Sequence, residues 1–175
     1  MNYFELFDCP VSFDLDKSEL TQRYHSLQKQ CHPDKHANAS EQEKLAIVQK
    51  AAQINDAFDT LKTPIKRAEY MLQLRGIDMQ HETKTLQDPM FLMQQMEYRE
   101  RLEDIKTSDN ALDELMAFED DVATERKAML KQLQTQIEQL TEQADLAAAD
   151  QIRKLKFIEK LQQELSRLED ELVEY

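Results

Sequence analysis

The chain has 175 residues with a single Gly, four Pro, two Cys, no Trp and a formal net charge of −13. So little Gly excludes Gly-rich phosphate loops, collagen-like repeats and most all-β folds, whose tight turns depend on it. The acidic balance argues against a nucleic-acid partner, which needs a basic stripe. Abundant Leu, Gln, Glu, Lys and Ala favour helix throughout, so the expected fold class is all-α. No apolar run reaches the roughly 18 residues of a membrane span. The acidic start MNYFELFDCP has neither the basic beginning nor the long apolar stretch of a signal peptide. The expectation is a cytoplasmic protein with no membrane partner.

Tyr3–Phe7 reads as a short apolar turn closed by Pro10. Asp16 or Ser18 can cap a second helix, whose Leu20, Tyr24, Leu27 and Cys31 lie on one face at spacings of four, three and four. Pro33 stops it. After a polar loop, Ser40 caps the next helix with Glu43 three residues on, a capping box. Its apolar stripe is Ile47, Ala51, Ile54, Phe58 and Leu61. Thr63-Pro64 interrupts the pattern, and a further segment runs to Gly76, a plausible C-terminal cap. Residues 76–88 are polar and weakly periodic and read as a linker.

Three more helical segments follow, over roughly 89–106, 109–142 and 146–172. Thr107-Ser108-Asp109 is the expected cap of the second. The second carries Leu115, Val122, Met129, Leu133, Ile137 and Leu140; the third carries Ile158, Leu161, Leu165, Leu168 and Leu172. These near-heptad stripes predict an antiparallel pair across a short break near Ala144–Asp150. The charge divides with the segments. Residues 1–75 hold 10 basic and 11 acidic side chains, and residues 76–175 hold 12 and 24. Different electrostatics in the two halves suggest two modules with different partners.

The most informative motif is His32-Pro33-Asp34, in the loop between two amphipathic helices. Pro33 stiffens the loop and removes a backbone donor. Asp34 offers a carboxylate suited to a bidentate arginine, and His32 a planar donor and acceptor. Such a loop loses little entropy on docking. Tyr24 and Leu27 precede the motif, Ile54-Asn55-Asp56-Ala57-Phe58 and Lys66-Arg67-Ala68-Glu69-Tyr70 follow it, and Tyr3-Phe4-Glu5-Leu6-Phe7 opens the chain. Together these resemble a J-domain, the module that activates the ATPase of DnaK-class chaperones, over residues 1–75. The resemblance implies an antiparallel helical hairpin with short flanking helices and His32-Pro33-Asp34 at its exposed tip, supported by Arg23, Lys29 and Lys35. That basic surface is thinner than in most J-domains and points to a dedicated chaperone.

Cys31, His32 and His36 also invite a metal reading, with Cys9 as a fourth ligand. Pro33 keeps His32 and His36 off a shared helix face, and no pair has finger spacing. No metal and no cofactor are expected, and the two cysteines read as ordinary reduced thiols. With no nucleophile–base pair and no phosphate loop, the chain is not expected to be an enzyme.

In the second half, a 100° projection puts Phe91, Tyr98, Leu102 and Ile105 on one narrow stripe. Leu92, Met93, Met96, Glu97, Glu100 and Asp104 fall on roughly the opposite side. The periodicity fits equally a helix buried on several sides and an exposed Met-rich patch with an acidic rim. Phe157 lies at the edge of the third helix's stripe, where core packing is the simpler reading. The stretches PheLeuMetGlnGlnMetGluTyrArgGlu (91–100) and ArgLysLeuLysPheIleGluLysLeu (153–161), combined with the J-domain pattern, are similar to the HscB-type co-chaperones of iron–sulfur cluster assembly.

That resemblance implies a J-domain over 1–75, a linker over 76–88 and a scaffold-binding three-helix bundle over 89–175. It also implies scaffold contacts through Leu92, Met93, Met96, Glu97, Glu100, Asp104 and Phe157. The function it implies is delivery of an iron–sulfur cluster scaffold protein to a specialised DnaK-class chaperone, with stimulation of its ATPase and promotion of cluster transfer. A J-domain protein with an unrelated client, and a helical adaptor with no chaperone, are the competing readings of the residues.

Overall fold

The computed structural model describes residues 1–79 and 88–174, and every regular element among them is helical. The chain divides into two compact units, Met1–Ile77 and Asp78–Tyr175. Most of the linker expected at 76–88 lies outside the described residues.

The first unit opens with α1 (Tyr3–Leu6), capped by Asn2, whose Oδ1 accepts from the Glu5 amide at 2.8 Å. The helix is one turn long, too short to persist alone. Buried Phe4 and Phe7 hold it in place, as does Tyr3, which stacks on Tyr70 with centroids 4.6 Å apart. α2 (Lys17–Gln30) begins at Asp16, whose carboxylate accepts from the amides of Ser18 and Glu19. Of the two caps the sequence offers, the chain uses Asp16. α2 stops three residues before Pro33, with His32 in extended conformation as the residue before a proline requires. A 3-10 turn spans Pro33–His36, and α3 (Glu41–Leu61) starts at the expected Ser40–Glu43 capping box.

α2 and α3 form the hairpin. Tyr24 stacks on Phe58 at 4.1 Å, and its hydroxyl donates to Asn55 Oδ1 at 2.6 Å, which also accepts from Gln28 at 2.7 Å. Of the expected α3 stripe, Ile54 and Leu61 are buried while Ile47, Ala51 and Phe58 are half-buried; Ala57 joins the core. Burial on α3 is confined to its second half, where α4 (Pro64–Leu74) begins and where Tyr3 of α1 lies beside Asp56. α4 carries a buried arginine. Arg67 donates to the Leu61 carbonyl at 2.7 Å and lies over the Phe13 ring at 5.3 Å. Burial lowers its pKa from the usual arginine range, opposed by Asp14. α4 closes with Gly76 at φ +91°; the Gly76 amide donates to Gln73 and the Ile77 amide to Leu72. This is a Schellman cap, and it needs the left-handed backbone that Gly supplies at no cost.

The second unit is a three-helix bundle of α5 (Pro89–Lys106), α6 (Ala111–Glu138) and α7 (Glu142–Val173). Its core joins Phe91, Leu102 and Ile105 of α5, Leu115, Phe118, Val122, Met129, Leu133 and Ile137 of α6, and Ile152, Leu155, Ile158, Leu161 and Leu165 of α7. Three details differ from the sequence reading. The reversal between α6 and α7 falls at Gln139–Thr141 and not near Ala144–Asp150, because Leu140 takes φ +56° and Thr141 caps Ala144. Residues 144–150 are helical, and Ala144, Ala148 and Ala149 are buried, small side chains that let two helices approach closely. Leu140, expected in the α6 stripe, is 73% exposed in the turn. Thr107-Ser108-Asp109 does not cap α6: Thr107 ends α5, and Asn110 leads into α6 without a side-chain cap.

Candidate functional site

Two surfaces carry the residues singled out from the sequence, one in each unit.

The first is the tip of the α2–α3 hairpin. His32 is the N-cap of the 3-10 turn, and its Nδ1 accepts from the Asp34 amide at 3.2 Å. Accepting at Nδ1 places the neutral ring's proton on Nε2. Asp34 Oδ2 lies 3.5 Å from the same Nδ1. Pro33 occupies the first position of the turn, where its missing N–H costs nothing and its fixed φ suits the turn. The Lys35 amide closes the turn onto the His32 carbonyl at 3.1 Å. The His32 and Asp34 side chains are 59% and 91% exposed, and Lys29 and Lys35 are exposed beside them.

A second imidazole holds the tip from below. His36 Nε2 donates to the Gln30 carbonyl at 2.8 Å. That carbonyl belongs to the last turn of α2 and has no partner within the helix. The tip is therefore tied back to the helix that carries it. Both imidazoles of the metal reading are thus engaged in local hydrogen bonds. An apolar groove under the turn is lined by Cys31, Pro33, Ile47, Val48 and Ala51.

Arg23 does not join this group. It lies nine residues before His32 on α2, about 13 Å along the helix at 1.5 Å per residue. Its guanidinium donates to the carbonyls of Phe7 and Asp8 and pairs with Glu19. It braces the α1–α2 loop.

The second surface is the outer face of α5. Asp88 caps the helix, accepting from the amides of Met90 and Phe91 at 3.1 and 3.2 Å, and pairs with Lys154 of α7 at 2.7 Å. The Lys154 contact, then the Phe91 amide, hold its carboxyl below the usual carboxylate range. Further along the same side of α5, Arg99 pairs with Glu164 of α7 and lowers that carboxyl too. Two ion pairs to α7 thus set the rotation of α5. Phe91, Leu102 and Ile105 turn inward, and Tyr98 is half-buried against Phe118. Leu92, Met93 and Met96 are left 47%, 61% and 71% exposed, with Glu97, Glu100 and Asp104 exposed among them. Of the two readings periodicity allowed, the exposed patch is the one built.

Phe157 is half-buried on α7, its ring edge-on to Phe91 at 5.6 Å and beneath the Arg99 guanidinium at 5.7 Å. It supports the α5 helix that presents the patch. Sequence reasoning missed Met90, which is 81% exposed and three residues before Met93. The i, i+3 spacing of three methionines was the available signal. It also missed His36 as a hydrogen-bonding partner of α2, for which the sequence carries no local signal.

Residues 2–70 match the DnaJ domain family, and residues 87–166 match the family described as the HSCB C-terminal oligomerisation domain. A co-chaperone protein HscB homolog from Shewanella denitrificans is 51% identical over 174 residues, 99% of this chain and 100% of that protein. The chain belongs to the HscB co-chaperone family. The solved structure of the chaperone HscB from Vibrio cholerae is similar at a TM-score of 0.87 and 52% identity, covering 98% of this chain and 99% of that one. Human co-chaperone protein HscB is similar at a TM-score of 0.84 and 28% identity, covering 95% and 81%. The first unit is accordingly a J-domain and the second the three-helix bundle of this family. A J-domain co-chaperone regulates the ATPase of a DnaK-class chaperone and is not itself the enzyme. Among the described residues no helix is long and apolar enough to cross a membrane.

Proposed function

We propose that this chain binds an iron–sulfur cluster scaffold protein on the outer face of α5 and delivers it to a specialised DnaK-class chaperone. The J-domain tip would stimulate ATP hydrolysis there, and hydrolysis would promote transfer of the cluster. The observation that carries the reading is the presence, in one chain, of the locally braced His32-Pro33-Asp34 turn and of a large exposed apolar face on a helix otherwise pinned to its bundle.

At the tip, the Asp34 side chain is 91% exposed and, among the described residues, its ion-pair partner is His32 alone, so the carboxylate is available to a chaperone guanidinium. Nε2–H of His32 offers one directed donor. Because the turn is already formed, docking costs little conformational entropy. On α5, Leu92, Met93 and Met96 supply apolar area, and Glu97, Glu100 and Asp104 favour a partner surface bearing basic groups. Carrying both partners on one chain makes their encounter intramolecular.

The test is the steady-state ATPase of the chaperone with scaffold present, titrated with the wild-type protein and its His32→Gln variant. Strong stimulation by wild type alone supports the reading. Equal, weak effects of both proteins overturn it.

A further inference from the structure

The α5 face differs from an ordinary apolar patch in its chemistry, and resting on the docking role above, we propose that Met90, Met93 and Met96 form an oxidation site whose conversion to sulfoxide releases the scaffold. Three of the chain's eight methionines lie within seven residues, and all three residues are exposed, at 81%, 61% and 71%. Outside α5, Met1 and Met116 are exposed singly, at 84% and 53%, and Met71 and Met129 are buried in their cores at 3% and 6%. Leu would give the same apolar area with better helix-packing definition; what Met adds is flexibility and a sulfur lone pair. The second unit contains no cysteine to intercept an oxidant, since Cys9 and Cys31 both lie in the first.

The surroundings select the oxidant. Glu97, Glu100 and Asp104 line the face, and residues 76–175 carry 24 acidic against 12 basic side chains. Anionic oxidants are repelled there, whereas neutral hypochlorous acid and hydrogen peroxide are not. With hypochlorous acid the thioether sulfur attacks the oxygen and the O–Cl bond breaks. The electron pair leaves as chloride, the proton passes to water, and the sulfur, oxidised by two electrons, becomes a sulfoxide. With peroxide the O–O bond breaks and water leaves. The product is polar and chiral where the thioether was apolar. Covering it with a partner then costs the hydration of the S=O group. The change is reversible by methionine sulfoxide reductases, which makes it a switch.

The experiment treats the full-length protein with limiting hypochlorous acid, quenches it, maps sulfoxides by peptide mass spectrometry, and measures scaffold binding by calorimetry. A triple variant, Met90→Leu with Met93→Leu and Met96→Leu, is compared only with its own untreated form. The expected result is oxidation of Met90, Met93 and Met96 ahead of Met71 and Met129. Wild-type affinity should fall at least about tenfold and return on treatment with the reductases, while the triple variant's ratio of treated to untreated affinity stays near one. The inference is overturned if the α5 methionines are oxidised no earlier than the buried ones, if oxidised wild type binds as tightly as before, or if the triple variant loses affinity in the same proportion. Untreated wild type that fails to bind the scaffold sinks the docking role itself and the switch with it. A normal untreated affinity with any of the three preceding outcomes sinks the switch alone.

Discussion

The J-domain tip uses hydrogen bonds within its own few residues to hold a shape, with His32 on the Asp34 amide and His36 on the Gln30 carbonyl. The α5 face holds its shape from behind. Its exposed methionines make no such bonds, and the helix is oriented by the Asp88–Lys154, Arg99–Glu164 and Phe91–Phe157 contacts with α7. The comparison teaches that a directional contact needs a pre-formed donor and acceptor geometry. A non-directional apolar contact needs only a steady platform and adaptable side chains. Damage should follow the same division: loss of directed atoms at the tip should be severe and specific, and loss of area on α5 should be graded.

The largest effect is expected at His32. Gln is one bond too long to replace Nδ1 as the cap, while Asn caps well and lacks the Nε2–H position. His32→Gln should lose most ATPase stimulation with scaffold affinity unchanged, and His32→Asn should lose stimulation while keeping slow exchange of the Asp34 amide. An active His32→Asn would show that the tip acts by shape alone. Next, Ala at Leu92, Met93 and Phe157 together should weaken scaffold binding at least about tenfold in calorimetry. That follows from about 25 cal/mol per Å² of lost apolar contact, with stimulation of the free chaperone retained. Combined loss of both activities by either set of changes would break the two-surface account.

A smaller effect separates bracing from contact. His36→Phe should lower stimulation several-fold, and His36→Gln, whose amide nitrogen sits near the position of Nε2, should recover much of it. Equal activity of both variants would remove His36 from the account. Arg67→Met should destabilise the J-domain by about 2 kcal/mol in urea unfolding, since it deletes a charged hydrogen bond to a buried carbonyl.

The smallest effects are electrostatic and of opposite sign within the bundle. Asp88 and Glu164 have carboxyls lowered by Lys154 and Arg99. The unfolded chain binds their protons first, so their contribution is complete above the ordinary carboxylate range near ~4 and is lost as pH falls through the lowered values. Glu119 is raised, by burial and then by Glu169. Here the folded chain binds the proton first, so stability declines as pH rises past the ordinary value. Glu119→Gln should therefore raise the melting temperature at pH 7 more than at pH 4. An equal shift at both would sink that assignment.

Features that depend on a few adjacent residues were legible without coordinates. The Ser40–Glu43 capping box, the Gly76 cap and the placement of His32-Pro33-Asp34 between two helices each follow from short-range geometry of the backbone and its neighbouring side chains. The outward fan of Leu92, Met93 and Met96 follows from the 100° helical period. That period says which residues share a face and nothing about what covers the face. Only the packed structure decided that this one is open, because the bundle buries Phe91, Leu102 and Ile105 on the opposite stripe of α5. The same holds for Arg23, basic and near the motif in sequence yet consumed by the carbonyls of Phe7 and Asp8. It holds for Phe157, which rests on a ring 66 positions away, and for the α6–α7 reversal. There the helical stripes placed the break near Ala144–Asp150, but Leu140 takes the left-handed region and leaves the alanines to pack. Local hydrogen bonding and periodicity are written in neighbouring residues; burial and the pairing of distant charges are properties of the assembled chain.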